Sequence, residues 1–279
     1  FDNISFEYAA WTRPSREGHV TLQGGFRLID AYKLAQPGLP HKAELENQAW
    51  IARPEAAVAA QFATNIYFTG CRFSHVGASA LDFRYAVSSS KITSCTFEDI
   101  GGTAIMAGSF GEGGFETHIP YSPAIPTDLC RGLVISKCKI DDATNEDWGC
   151  AAISAGYVSG IDITQNEVSN VNYSGICVGW GWTANESEMC DNRITGNYVH
   201  DYAKMLYDAG GIYTLSNQPG SLISGNRISL PADAPYATNS RGFCIYFDEA
   251  TDGFTVEDND MPKPLYGYNK PGPAMKVKE

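Results

Sequence analysis

Carboxylates and large aromatics collect in four short stretches of this chain. They are Asn145-Glu146-Asp147-Trp148-Gly149, Val178-Gly179-Trp180-Gly181-Trp182, Tyr207-Asp208-Ala209-Gly210-Gly211-Ile212-Tyr213 and Ile245-Tyr246-Phe247-Asp248-Glu249. That mixture suits attack on a glycosidic bond. Aromatic faces stack on the apolar face of a pyranose, and two carboxyl groups do acid, base or nucleophilic work at the anomeric carbon. The expected catalytic pair is Asp208 and Asp248. Expected substrate contacts are Glu146, Asp147, Trp148, Trp180, Trp182, His200, Tyr213, Tyr246 and Glu249. His200 enters with Asp201 and Lys204 as a polar cluster beside the site. Each of these residues also has an ordinary structural role open to it. The aspartates can cap turns, the tryptophans can cover an apolar edge, and Asp248-Glu249 can be a solvated turn.

Other chemistries find less support. The five histidines (19, 41, 75, 118 and 200) form no HxH or HExxH motif. Gly111-Glu112-Gly113-Gly114 lacks the Lys-Ser/Thr of a phosphate loop, and no Gly-x-Ser-x-Gly elbow occurs. The eight cysteines contain no CxxC and no zinc spacing, so neither a metal nor a cofactor is expected. The cysteines read as buried thiols, with Cys177 and Cys190 as one candidate disulfide pair.

The elements that must carry these residues show in a seven-fold pattern: apolar, two spacers, Cys or Asn, one spacer, apolar. It runs through Phe68-Cys71-Phe73, Ile92-Cys95-Phe97, Ile135-Cys138-Ile140, Ile163-Asn166-Val168, Ile194-Asn197-Val199, Ile223-Asn226-Ile228 and Val256-Asn259-Met261. A second series follows each of the first six copies but one position varies: Ala80-Leu81, Ala104-Ile105, Ala152-Ile153, Gly175-Ile176, Gly211-Ile212 and Cys244-Ile245. Repeats of this length with period-2 apolar spacing mean a solenoid of strands. The fold class is therefore all-β, a right-handed parallel β-helix with loop insertions. Asn166, Asn197, Asn226 and Asn259 should form an internal amide ladder, and Cys71, Cys95 and Cys138 should stack at the same corner.

Insertions are expected at residues 27–60, 107–131, 141–150, 180–190 and 231–241. In a solenoid such insertions project from the body and often build the binding site. Residues 1–262 read as a single β-helix domain and 263–279 as a C-terminal tail. Phe1 opens the sequence without a signal pattern, and Asn3–Tyr8 resembles a strand of a preceding coil, so the expectation is a fragment of a longer protein.

The same register exposes a tension. Asp208 precedes Ile212 by four residues, whereas Asp248 follows Ile245 by three. Along straight strands that offset would part them by about 20 Å. The carboxyls of glycosidases stand about 5–9.5 Å apart. The pair requires a bend at Gly210-Gly211 or near Asp248; otherwise Asp147 is the better partner for Asp208.

Charge narrows the partners. The chain has 20 basic and 32 acidic residues, a net charge of -12. That argues against nucleic acid and anionic membranes, and weakly against strongly anionic polysaccharides. No apolar stretch is long enough to span a bilayer. The expected partner is a polysaccharide or oligosaccharide, and the chain is expected to be a monomer.

Glu46–Pro54, Asn145–Gly149, Gly175–Trp182, Asp208–Leu215 with Gln218-Pro219-Gly220, and Tyr246–Glu249 resemble bacterial right-handed β-helix carbohydrate enzymes, nearest to glycoside hydrolase family 141. The resemblance spans roughly residues 46–262. It implies a secreted or periplasmic hydrolase of plant cell-wall glycans, with fucosidase or xylanase activity and two catalytic aspartates matching Asp208 and Asp248. Two other readings stay open. One is a polysaccharide lyase or epimerase, for which Lys204 and Arg241 could serve. The other is a non-catalytic glycan-binding solenoid, which would need the aromatics but not the carboxylates.

Overall fold

A computed structural model describes residues 1–11, 27–28, 50–110, 128–235 and 242–278. The described residues wind into coils, each passing through three parallel sheets. The coil around the second copy of the repeat illustrates the path. Lys91–Thr93 lies in the first sheet, Thr96–Ile100 in the second and Ile105–Ala107 in the third. A short fourth sheet (Ala63–Thr64, Val87–Ser88, Cys130–Arg131, Val158–Ser159) closes the N-terminal coils. The architecture is a right-handed parallel β-helix.

The apolar positions of the repeat stack as the sequence pattern expects. In the first sheet Phe68, Ile92, Ile135, Ile163, Ile194, Ile223 and Val256 are consecutive register partners. In the third sheet Leu81, Ile105, Ile153, Ile176, Ile212 and Ile245 do the same. All of these are buried in one continuous core. Period-2 alternation explains why one register serves every coil. A one-residue slip would turn each strand's apolar set to the outside.

The corner between the first and second sheets carries the ladder. The Asn166 side-chain amide donates to Asn197 Oδ1 at 2.9 Å, Asn197 to Asn226 and Asn226 to Asn259 at the same distance. Each amide also reaches back to a carbonyl of the preceding coil, as Asn197 does to Ile163 at 2.9 Å. The cysteines at this corner imitate that second bond. The Cys95 thiol donates to the Phe68 carbonyl at 3.5 Å, and Cys138 to Ile92 at 3.6 Å. All eight cysteines are thiols, so the Cys177–Cys190 bridge does not form. Cys177 is buried on the outside of the third sheet, whereas Cys190 lies beside Ser159 near the fourth.

The ends are also wound. Ser5–Glu7 pairs in parallel with the second-sheet strand Arg72–Val76. Residues 263–279, read from the sequence as a tail, supply two strands of their own. Tyr266–Tyr268 lies beside Phe243–Phe247, and Lys276–Val277 beside Asp252–Glu257. Pro264, Pro271, Gly272 and Pro273 flank these short strands, and Gly267 sits within one of them. Of the expected 27–60 insertion, Arg27–Leu28 pairs antiparallel with Trp50–Ala52, and Ala56–Ala60 joins the third sheet. Most of the 107–131 insertion lies outside the described residues, as does Arg241.

Candidate active site

The outer face of the third sheet is the part of the solenoid that positions the expected residues. Each strand's central apolar residue points into the core, and the next residue points out. The outward column reads Asp82, Met106, Ser154, Cys177, Tyr213 and Tyr246. This column is almost wholly buried, because a second hydrophobic cluster covers it. Phe110, Leu129, Tyr157, Trp180, Trp182 and Met189 come from the flanking segments and pack over Met106, Cys177, Tyr213 and Tyr246.

At the C-terminal end of this column the two aspartates converge. Asp208 sits just before the Gly210–Thr214 strand, with its backbone in the left-handed region at φ 60°. Asp tolerates that conformation better than most residues. The Tyr173 hydroxyl, from the preceding coil, donates to the Asp208 carbonyl at 2.8 Å and fixes the turn. Asp248 follows the Phe243–Phe247 strand and is buried. The Thr251 amide donates to its carbonyl at 2.9 Å, turning the chain sharply. Asp248 accepts a short hydrogen bond from the Tyr213 hydroxyl at Oδ2 and one from the Asn269 side-chain amide at Oδ1, at 2.6 Å.

Asp208 from the start of its strand and Asp248 from the end of its own both lie near the Tyr246 hydroxyl, and Asp248 also meets Tyr213. Tyr213 and Tyr246 are register partners with rings 5.1 Å apart, edge to face. Tyr246 interacts with both carboxyls. Asp208 is exposed at its turn, yet partial desolvation by the surrounding protein raises its pKa. The nearby Tyr246 hydroxyl opposes that shift, and the charge of Asp248 adds to it. Burial, joined by the nearby carboxylates, holds the hydroxyls of Tyr173, Tyr213 and Tyr246 protonated, well above the ordinary tyrosine range. Burial with the Asp248 charge pushes the Cys177 thiol up to about 12, which rules it out as a nucleophile.

The other expected contacts are dispersed. Trp180 and Trp182 are buried at 1% and 8% exposure, so neither presents an open face to a sugar. Trp180 packs edge-on against Phe110 and Trp182, at 5.1 and 4.7 Å between centroids. The Gly-Trp-Gly-Trp loop exists to seat them: at Gly179, with φ 111°, a Cβ would fall 2.1 Å from the Leu215 carbonyl oxygen. Truncating Trp180 to Ala should cost about 3–5 kcal/mol of stability. These tryptophans cover an apolar edge, the plainer of the two roles open to them.

Asp147 is buried on the N-terminal side, lining a cavity with Arg53, Glu55, Ser79 and Cys150. That placement withdraws it as a partner for Asp208. Arg53 there forms a buried bidentate pair with Asp82, at 2.8 and 2.5 Å. Glu146 is exposed over Gly101, and Trp148 is half-buried with its indole donating to the Asn145 carbonyl. Glu249 pairs with Lys270. His200 lies at the end of a second-sheet strand, stacked on Tyr198 at 4.4 Å and bonded to Asp201 at 2.7 Å. Its partners Tyr198, Asp201 and Glu167 belong to that surface rather than to the aspartate pair. The sequence reading missed Tyr173 and Asn269. Asn269 had a signal, since it follows the period-2 strand Tyr266-Gly267-Tyr268. Among the described residues, no cluster of His, Cys, Asp and Glu could hold a metal ion.

Comparison with known proteins agrees with this architecture. Residues 124–261 match the family of right-handed β-helix regions. A solved structure named "Glycoside hydrolase" superposes with a TM-score of 0.89 at 39% sequence identity. The alignment covers 98% of this chain and 46% of that one, so this chain spans about half the length of its structural relative. No curated protein matches the sequence.

Proposed function

We propose that this chain carries the catalytic coils of a glycoside hydrolase acting on a plant cell-wall or related glycan of fucoside or xylan type, akin to glycoside hydrolase family 141. The observation that carries the proposal is the approach of Asp208 and Asp248 to one tyrosine, Tyr246, in two different environments. Asp208 reaches solvent and is biased toward its protonated form, so it is assigned as the general acid that protonates the leaving oxygen. Asp248 accepts two hydrogen bonds, which suits the anionic partner, nucleophile or base. The relative named as a glycoside hydrolase supports the class of reaction. A secreted or periplasmic location belongs to the same proposal.

The test is hydrolysis of aryl α-L-fucosides, aryl β-D-xylosides and xylan by wild type, Asp208→Asn and Asp248→Asn. Each variant should lose on the order of 10²–10⁴-fold in kcat while unfolding at a temperature close to wild type. Turnover at the wild-type rate in both variants would overturn the assignment.

A further inference from the structure

We propose that Asn269, on the coil after residue 262, is a positioning residue that clamps the Asp248 carboxylate for reaction. The inference rests on the hydrolase reading above. It starts from the local architecture. Asp248 is a buried carboxylate with each oxygen held by a different donor: Oδ2 by Tyr213 from the preceding coil and Oδ1 by Asn269 from the following one. Tyr213 is rigid, buried and paired with Tyr246. Asn269 is fixed by its backbone, whose N–H donates to the Phe247 carbonyl at 2.9 Å. The same segment returns to the Asp248 turn twice more, from Ala250 N–H to the Lys270 carbonyl at 3.1 Å and from Gly272 N–H to the Thr251 carbonyl at 2.8 Å. The carboxylate therefore has one orientation, set between two coils. A misplacement of about 1 Å at a reacting atom can cost on the order of 10²-fold in rate. Asn269 also lies beyond the residues matched by the β-helix family, which end at 261.

Three variants test this. In Asn269→Ala, kcat on the same aryl glycosides should fall by about 10- to 100-fold with KM within about threefold, because the clamp acts on the reacting group. Asn269→Asp places a carboxyl opposite Oδ1. Facing it are Asp248 and Tyr213, with Asp208, Tyr246, Tyr173 and Cys177 around the pair and Glu249–Lys270 alongside. Ionised, the new group repels Asp248; protonated, it donates as the amide does. The ratio of its activity to wild type should therefore rise as pH falls toward about 4. Lys278→Ala, on the same coil but at an exposed side chain paired with Glu257, should retain wild-type kcat. Crystal structures of wild type and Asn269→Ala give a readout free of substrate. The Asp248 carboxyl should turn or split between rotamers while Tyr213 stays in place. An unmoved carboxyl, unchanged kcat in Asn269→Ala, or a pH-independent ratio for Asn269→Asp would overturn the clamp. Wild-type turnover by both Asp208→Asn and Asp248→Asn would instead overturn the hydrolase reading, and the crystallographic comparison would still decide the clamp.

Discussion

Tyr246 stands near two carboxyl groups to which we assign different tasks, and its hydroxyl gives a way to separate them. That hydroxyl lies near Asp208, where it favours the charged form and opposes the dominant desolvation and the Asp248 charge, which raise the pKa of that group. A general acid works only while protonated, so kcat/KM must decline as pH rises through the pKa of Asp208 in the free enzyme. Because that pKa is raised above its ordinary value, the decline should begin above the usual carboxylate range of about 4. Tyr246→Phe keeps the ring that packs edge-on against Tyr213 but deletes the hydroxyl that favours charged Asp208. The pKa should then rise further and the alkaline limb of kcat/KM should move to higher pH. A pH profile of the two proteins checks this; a limb that stays in place or moves down would mean that Asp208 is not the acid. The repeat gave Asp208 and Asp248 addresses, four residues before Ile212 and three after Ile245, but not their approach to Tyr246. That approach depends on the turns at Asp208 and at Asp248–Thr251, which the repeat does not encode.

At the scale of the elements, the corner ladder shows how one position sets both register and stability. Asn197 accepts from the backbone and side chain of Asn166, at 3.0 and 2.9 Å, and donates to Ile163 and Asn226. Asn197→Ala leaves those buried donors and acceptors without partners in two adjoining coils. At about 1–3 kcal/mol for a buried unsatisfied group, only part of it recovered by relaxation, the loss should be on the order of 4 kcal/mol in chemical denaturation. Asn197→Cys should lose less, because a thiol at this corner can still donate to the carbonyl one coil back, as Cys95 does. A cost below about 1 kcal/mol for the alanine variant would remove the ladder from the list of stabilising elements. This element was readable in advance for a physical reason: parallel in-register stacking repeats one residue's environment in every coil, so the sequence repeats too. The roles of Trp180 and Trp182 were not readable. Their burial depends on Phe110, Tyr157 and Met189, which follow no repeat.

For the whole molecule, the solenoid is close to one-dimensional: each coil packs on its neighbours, and damage at one end should stay there. The C-terminal coil tests that idea together with the site. Phe247 packs against Tyr266 and Tyr268, with ring centroids 6.0 and 5.4 Å apart, and Val256 pairs with Val277. Truncation after Met261 removes these partners and Asn269, leaving the Phe243–Phe247 strand as an edge with Asp248 at its end. The coils from Phe68 to Val199 keep every apolar partner they had, because their columns pair only with adjacent strands. The expected result is therefore local. Amide hydrogen exchange should accelerate in residues 243–257, protection around Ile135 and Ile163 should be retained, and glycoside hydrolysis should fall by at least the roughly 10- to 100-fold expected for Asn269→Ala. Loss of protection throughout the chain would mean that the solenoid folds as a single cooperative unit. Retained hydrolysis would mean that Asp248 needs no support from the coil beneath it.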